Sequence, residues 1–240
     1  MSLALKLALS PLLLAQAMAT RRRAPVLPEA AGPRQGRLGQ GDGALCLLIA
    51  GDSSAAGVGV AHQDQALAGH LTRALHRRLA RPVHWSLHAR SGLTTRQVHA
   101  LLRPLTLPAA DVAVVLSGVN DVIDQIPVRR ALAHRIALAD WLLAERGVAH
   151  VVFAPLPPVH RFPLLPQPLR RVMGDDARRH DDALESWAAA RSDVSYASIE
   201  YELDLNAMAS DGFHPGEPVY RACGEALAAH IAEWTQESRP

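Results

Sequence analysis

The chain has 240 residues, 49% of them hydrophobic, 20% charged and 4% aromatic, with two cysteines and a formal net charge of +2. That length holds one sizeable α/β domain, and the composition excludes a disordered chain, a disulfide scaffold and an RNA-binding stacking platform. The net charge is too small to argue for nucleic acid, and it is uneven: residues 1–43 hold six basic and two acidic side chains, +4, which leaves −2 for the remainder.

The first segment, LALKLALSPLLLAQAMA over 3–19, is apolar apart from Lys6, Ser10 and Gln16. Seventeen residues lie at the lower limit for a bilayer span, and Pro11 interrupts the run. Three readings stay open. Arg21, Arg22 and Arg23 favour a helix lying on the cytoplasmic face of a membrane, a peripheral contact through residues 1–23. The segment can instead pack on its own domain. Ala17-Met18-Ala19 also resembles a small-residue cleavage site, which would make the segment an export signal, or else a spanning anchor. Residues 24–43 carry three prolines and five glycines and read as a linker. The expected organisation is therefore an extension over 1–43 and a domain over 44–240.

From residue 44 short apolar runs alternate with amphipathic stretches. ALCLLIAG (44–51) reads as a buried strand, and 64–79, with Leu67, Leu71, Leu75 and Leu79 spaced by four, as a helix. VHWSLHA (83–89) is a second strand and 94–102 a short helix. DVAVVLSG (111–118) is a third strand, followed by a helix over 128–146. AHVVFAPL (149–156) is a fourth. A proline-rich loop to Pro168 follows, then a charged helix over 170–190, whose DDARRHDD stretch reads as a solvated face. DVSYASI (193–199) is the fifth strand and 217–236 the last helix. Five strand–helix units predict a parallel sheet with helices on both faces, and such sheets bind ligands beyond the carboxyl ends of their strands.

Those ends carry the informative residues. After the first strand comes Gly51-Asp52-Ser53-Ser54-Ala55-Ala56-Gly57, after the second Arg90-Ser91-Gly92, after the third Gly118-Val119-Asn120-Asp121, and ahead of the last helix Asp211-Gly212-Phe213-His214-Pro215. A serine hydroxyl needs a base to become a nucleophile, and His214 has the right chemistry, with an unperturbed pKa of about 6.5. Asp211, three residues upstream, can reach back to Nδ1 of that ring. A tetrahedral oxyanion needs donors, which the Ser53 N–H, the Gly92 N–H and the Asn120 amide can supply. Asp52 and Asp121 read as turn residues that hold their loops.

Together, GDSSxxG, a glycine after the second strand, GVND and DGFHP resemble the SGNH hydrolases, the GDSL esterase and lipase superfamily, with the bacterial lysophospholipase and thioesterase-like branch nearest. The resemblance spans residues 51 to 215. It implies a three-layer α/β/α flavodoxin-like fold with a five-stranded parallel sheet in the order 2-1-3-4-5. It implies ester or thioester hydrolysis through an acyl-enzyme on Ser53, with Asp211 and His214 completing the triad and Ser53, Gly92 and Asn120 forming the oxyanion hole. No cofactor or metal is implied. His84 and His88 share a strand face but lack a carboxylate or thiolate nearby.

The loop from Pro155 to Pro168 leaves the same edge as the catalytic loops, so Phe162 and Leu165 are candidates for an acyl pocket. The expected partner is a small-molecule or lipid ester, not nucleic acid. Two other functions fit the same residues: a carbohydrate O-deacetylase or acyltransferase with the same machinery, and a non-catalytic module that holds an anion at the Gly51–Gly57 turn. A working triad predicts activity that rises with pH as His214 loses its proton, with a midpoint within about a unit of 6.5.

Overall fold

A computed structural model describes residues 3–199 and 207–237, with side chains from residue 8. Six strands form one sheet: β1 (Gln35–Leu38), β2 (Leu45–Gly51), β3 (Val83–Ala89), β4 (Val112–Leu116), β5 (His150–Phe153) and β6 (Val194–Tyr196). Their order is β1-β3-β2-β4-β5-β6. The last five neighbours run parallel, in the order the motifs implied, and β1 is antiparallel to β3, with Gln35 opposite Ser86 and Leu38 opposite Val83. The sheet is thus mixed and six-stranded, where the sequence predicts five parallel strands. The extra strand, QGRL, comes from the segment read as a linker. It is short, polar and almost wholly exposed, so it carries no hydrophobic periodicity.

The helices are α1 (Leu3–Arg23), α2 (Ser53–Ala56), α3 (Leu67–Leu79), α4 (Thr95–Leu102), α5 (Val119–Ile123), α6 (Val128–Arg146), α7 (Leu169–Ala188) and α8 (Glu217–Glu237). β2 shows why the sheet is sandwiched. Its side chains alternate between faces, yet both sets are apolar and buried. Leu45, Leu47 and Ile49 join one core with Leu71 and Leu75 of α3 and Leu227 and Ile231 of α8. Leu48 and Ala50 join the other with Val98 of α4, Leu138 and Leu142 of α6 and Leu184 of α7. The four-residue leucine spacing of α3 is the stripe that α8 covers. α4 begins with a capping box, in which the Gln97 side chain accepts from the Thr94 N–H at 2.9 Å.

A third apolar cluster lies at the carboxyl end of the sheet. Phe162 and Leu165 of the proline-rich loop, Met173 of α7 and Leu156 form it, and Leu13 of α1 packs against it. Gln16 of α1 fastens the contact: its Nε2 donates to the Gln167 carbonyl at 2.7 Å and its Oε1 accepts from the Leu169 N–H at 3.1 Å. The N-terminal helix is therefore docked on the domain. Among the described residues no helix is long and apolar enough to cross a membrane.

Candidate active site

β2 delivers its chain to the sheet edge at Gly51. A Cβ there would lie 2.2 Å from the Leu116 carbonyl oxygen of the neighbouring strand, so only glycine lets the two strands end side by side. The chain then turns at once into α2. Asp52 caps this short helix, its Oδ1 accepting from the Ser54 N–H at 3.0 Å. Ser53 is thus the first helical residue, mostly buried, with its hydroxyl facing a cleft.

The opposing wall comes from the turn before α8. Asp211 Oδ1 accepts the backbone N–H groups of Phe213 and His214, both at 2.9 Å, which winds the four residues into a tight loop. Its Oδ2 lies 2.5 Å from His214 Nδ1, and His214 Nε2 lies 3.1 Å from Ser53 Oγ. The hydroxyl of Tyr220, on α8, donates to the Val58 carbonyl at 2.7 Å and ties that helix to the segment behind Ser53.

The two buried aspartates of the site behave oppositely. Burial works to raise the Asp211 carboxyl, but hydrogen bonds from the His214 ring and from the His214 and Phe213 amides outweigh it and hold the group below the usual carboxylate range. Asp52, deeper, is pushed up to about 7 by burial and by the Asp121 carboxylate, against the pull of the Ser54 N–H and His214.

Asn120, on α5, lines the same cleft. Its Nδ2 donates to the Leu93 carbonyl at 3.0 Å and lies 3.4 Å from Asp52 Oδ2. The first bond joins Asn120 to the loop after β3. Gly92 lies on that loop, exposed, with φ of +81°, and is not among the residues lining the cleft. The loop is braced from outside: Glu29 Oε1 accepts from the Ser91 N–H at 2.6 Å, and Arg34 both pairs with Glu29 and donates to the Ala89 carbonyl at 2.6 Å.

Beneath these loops runs a buried polar network. Asp121 is inaccessible to solvent. It accepts the Thr95 N–H at 3.1 Å and the Thr95 hydroxyl at 2.6 Å, and it pairs with Arg135 of α6 at 3.6 Å. The Arg135 guanidinium presses so closely on Gly118 that a Cβ there would meet it at 2.2 Å. The aspartate of the GVND stretch thus clamps α4, which follows the Gly92 loop, to α5, which carries Asn120. Arg135 has no signal in the sequence, because an arginine on an amphipathic helix ordinarily faces water.

The cleft is open and mainly apolar. Leu67, Leu156, Phe162, Met208, Phe213 and Val219 are among its lining residues. Phe162 and Phe213 meet edge to face with centroids 5.0 Å apart, and Phe213 also abuts the His214 ring. Leu165 does not line it. That residue, paired with Phe162 in the sequence reading, is 4% exposed in the cluster beneath the loop, where it supports the wall. Tyr220, whose helical spacing with Leu227 and Ile231 marks it in the sequence only as core, and Val219 line the cleft as well. Among the described residues no group of three or more His, Cys, Asp or Glu is clustered to hold a metal ion.

Residues 49–222 match the model of the GDSL-like lipase/acylhydrolase family. None of the curated proteins is a significant match to the sequence. Several solved structures are similar in fold. A lipase, Lip_vut3, from a goat rumen metagenome is 19% identical with a TM-score of 0.63, covering 79% of this chain and 98% of its own. A family 3 carbohydrate esterase of Clostridium thermocellum is 16% identical with a TM-score of 0.64, covering 82% and 100%. The psychrotrophic esterase EstA of a Pseudoalteromonas species is 17% identical with a TM-score of 0.56, covering 80% and 98%.

Proposed function

Because the chain belongs to the GDSL-like lipase/acylhydrolase family of ester-hydrolysing serine hydrolases, we propose that it cleaves acyl esters through Ser53, with an acyl group seated in the apolar cleft. One observation carries this reading: an unbroken line of contacts from Asp211 through His214 to Ser53, opening into a cleft lined by Leu67, Phe162 and Val219.

Ser53 Oγ attacks the carbonyl carbon as its proton passes to His214 Nε2. Asp211, kept ionised, accepts from Nδ1–H, fixes the ring tautomer and stabilises the imidazolium. The carbonyl oxygen becomes an oxyanion, taken up by the Ser53 N–H at the start of α2, by Gly92 N–H and by Asn120 Nδ2. Asn120 can serve because its 3.4 Å contact with Asp52 is long and readily exchanged. His214 then protonates the departing alcohol. A water molecule attacks the acyl-enzyme by the same route in reverse, releasing the acid and restoring Ser53.

The first test is turnover of p-nitrophenyl esters from acetyl to palmitoyl. We expect activity in the wild type, none above background for Ser53→Ala, and a loss of about 10²–10³ in kcat for Asn120→Ala. The apolar lining predicts a preference for acyl chains longer than acetyl. Strict preference for acetyl would move the reading to a deacetylase. Binding of anions without turnover, surviving His214→Ala, would move it to a non-catalytic module.

A further inference from the structure

We propose that the outward face of α1 docks on an anionic lipid surface, and that it does so while the helix stays clasped to the domain. Docking fixes which side of this apolar helix remains available. Leu13 and Gln16 face the domain, one against the Phe162 cluster and the other in its two hydrogen bonds to the chain around Pro168. Residues offset by half a helical turn point away. Leu14 is 63% exposed and Met18 49%, and they lie four residues apart on one stripe; Leu12, on the flank, is 46% exposed. Val26, just past the helix, is 98% exposed. These are four of the five large hydrophobic side chains found exposed among the described residues, so the apolar surface is concentrated on one short stretch.

Arg21, Arg22 and Arg23 complete the face. They occupy the last turn of α1 and are all exposed; Arg21 and Arg22 extend the Leu14–Met18 stripe, and Arg23 lies past the contacts of Gln16 at the helix end. Leucine and methionine flanked by three arginines match a membrane interface, where the apolar side chains enter the acyl boundary and the cations meet lipid headgroups. Charge also selects this occupant over a second copy of the chain. Residues 1–43 carry +4, so pairing two such faces would bring like charges together, whereas an anionic surface is complementary.

The site matters to the cleft because the two share a wall. Leu13 packs on the cluster that contains Phe162, and Phe162 lines the cleft. A surface that holds α1 therefore holds the cleft beside it. This inference rests on α1 alone and survives if the catalytic reading fails, since binding is read without turnover.

Co-sedimentation of the full chain with vesicles of phosphatidylcholine, with and without phosphatidylglycerol, tests it. The wild type should partition onto the anionic vesicles, only weakly onto neutral ones, and should be released by high salt. Replacing Arg21, Arg22 and Arg23 together by Gln should weaken partition roughly 100-fold. Leu14→Glu with Met18→Glu should abolish it. Both variants should keep the wild-type thermal melt, which shows that they fold. Wild type that ignores anionic vesicles, or variants that bind them as well as wild type does, would overturn the proposal. So would a dimer in solution that the Glu variant converts to monomer, because the face would then belong to a second copy.

Discussion

Asp52 and Asp211 are both buried carboxylates at the same site, and the partners around them decide their charge. Asp211 receives three hydrogen bonds; Asp52 has one short bond, from Ser54, and a buried carboxylate nearby. The sign of the linkage follows. A carboxyl raised from about 3.8 unfolded to about 7 folded costs no stability below the unfolded value. It costs progressively more as pH rises toward 7, and a constant amount above. Asp52→Asn keeps an oxygen to cap α2 and removes the titration. The difference in Tm between this variant and wild type should therefore grow in the variant's favour from pH 4 to pH 7. The difference is the right readout because His150, pushed down to about 4 by burial, acts the other way over the same range. A flat difference would exclude a protonated Asp52. Arg135 gives a second prediction at this scale. Arg135→Ala leaves Asp121 buried without its cation and should cost about 3–5 kcal/mol, measured by denaturant melts, while Arg135→Met combined with Asp121→Asn should recover part of it. The positions of Ser53 and Asn120 were legible in the sequence because each follows an apolar run and sits beside a turn residue, and those of Asp211 and His214 because they share one turn ahead of the last helix. Arg135 was not, because its burial depends on a neighbour, α5, that is only five residues long.

Among the elements, the lead-in is the least legible and the most consequential. Nothing in QGRL marks a strand, since what orders it is the exposed edge of β3. The docking of α1 is equally hidden: its hydrophobic residues are spread all round the helix, and only the contacts of Leu13 and Gln16 decide which of them turn inward. The same lead-in holds Glu29 and Arg34 against the loop that carries Gly92. Two truncations should therefore behave differently. Removing residues 1–24 should leave turnover of a soluble ester largely intact. Removing residues 1–43 strips β1 from the sheet and the brace from the Ser91–Gly92 loop, and should lower kcat about 10²-fold by misplacing Gly92, the proposed oxyanion donor. Exposing the β3 edge should also promote aggregation, visible by light scattering. Equal activity in the two truncations would show that the brace has no catalytic role.

At the scale of the whole molecule, the parallel order of β2 to β6 was legible because β2 and β4 are unbroken apolar runs, the other strands alternate regularly with helical stretches, and chain connectivity leaves few ways to stack such units. What escaped was the relation of distant parts. Ser53 and His214 are 161 positions apart, and their contact depends on α8 packing beside α3, with Tyr220 tied to Val58. The order of synthesis gives that separation a meaning of its own. During synthesis Ser53 is made long before His214, so on the proposed reading the serine gains its partner only after the Asp211–His214 turn has been made and has docked. Chains cut short before residue 211 should therefore fail to turn over p-nitrophenyl esters, and activity in them would count against that pairing.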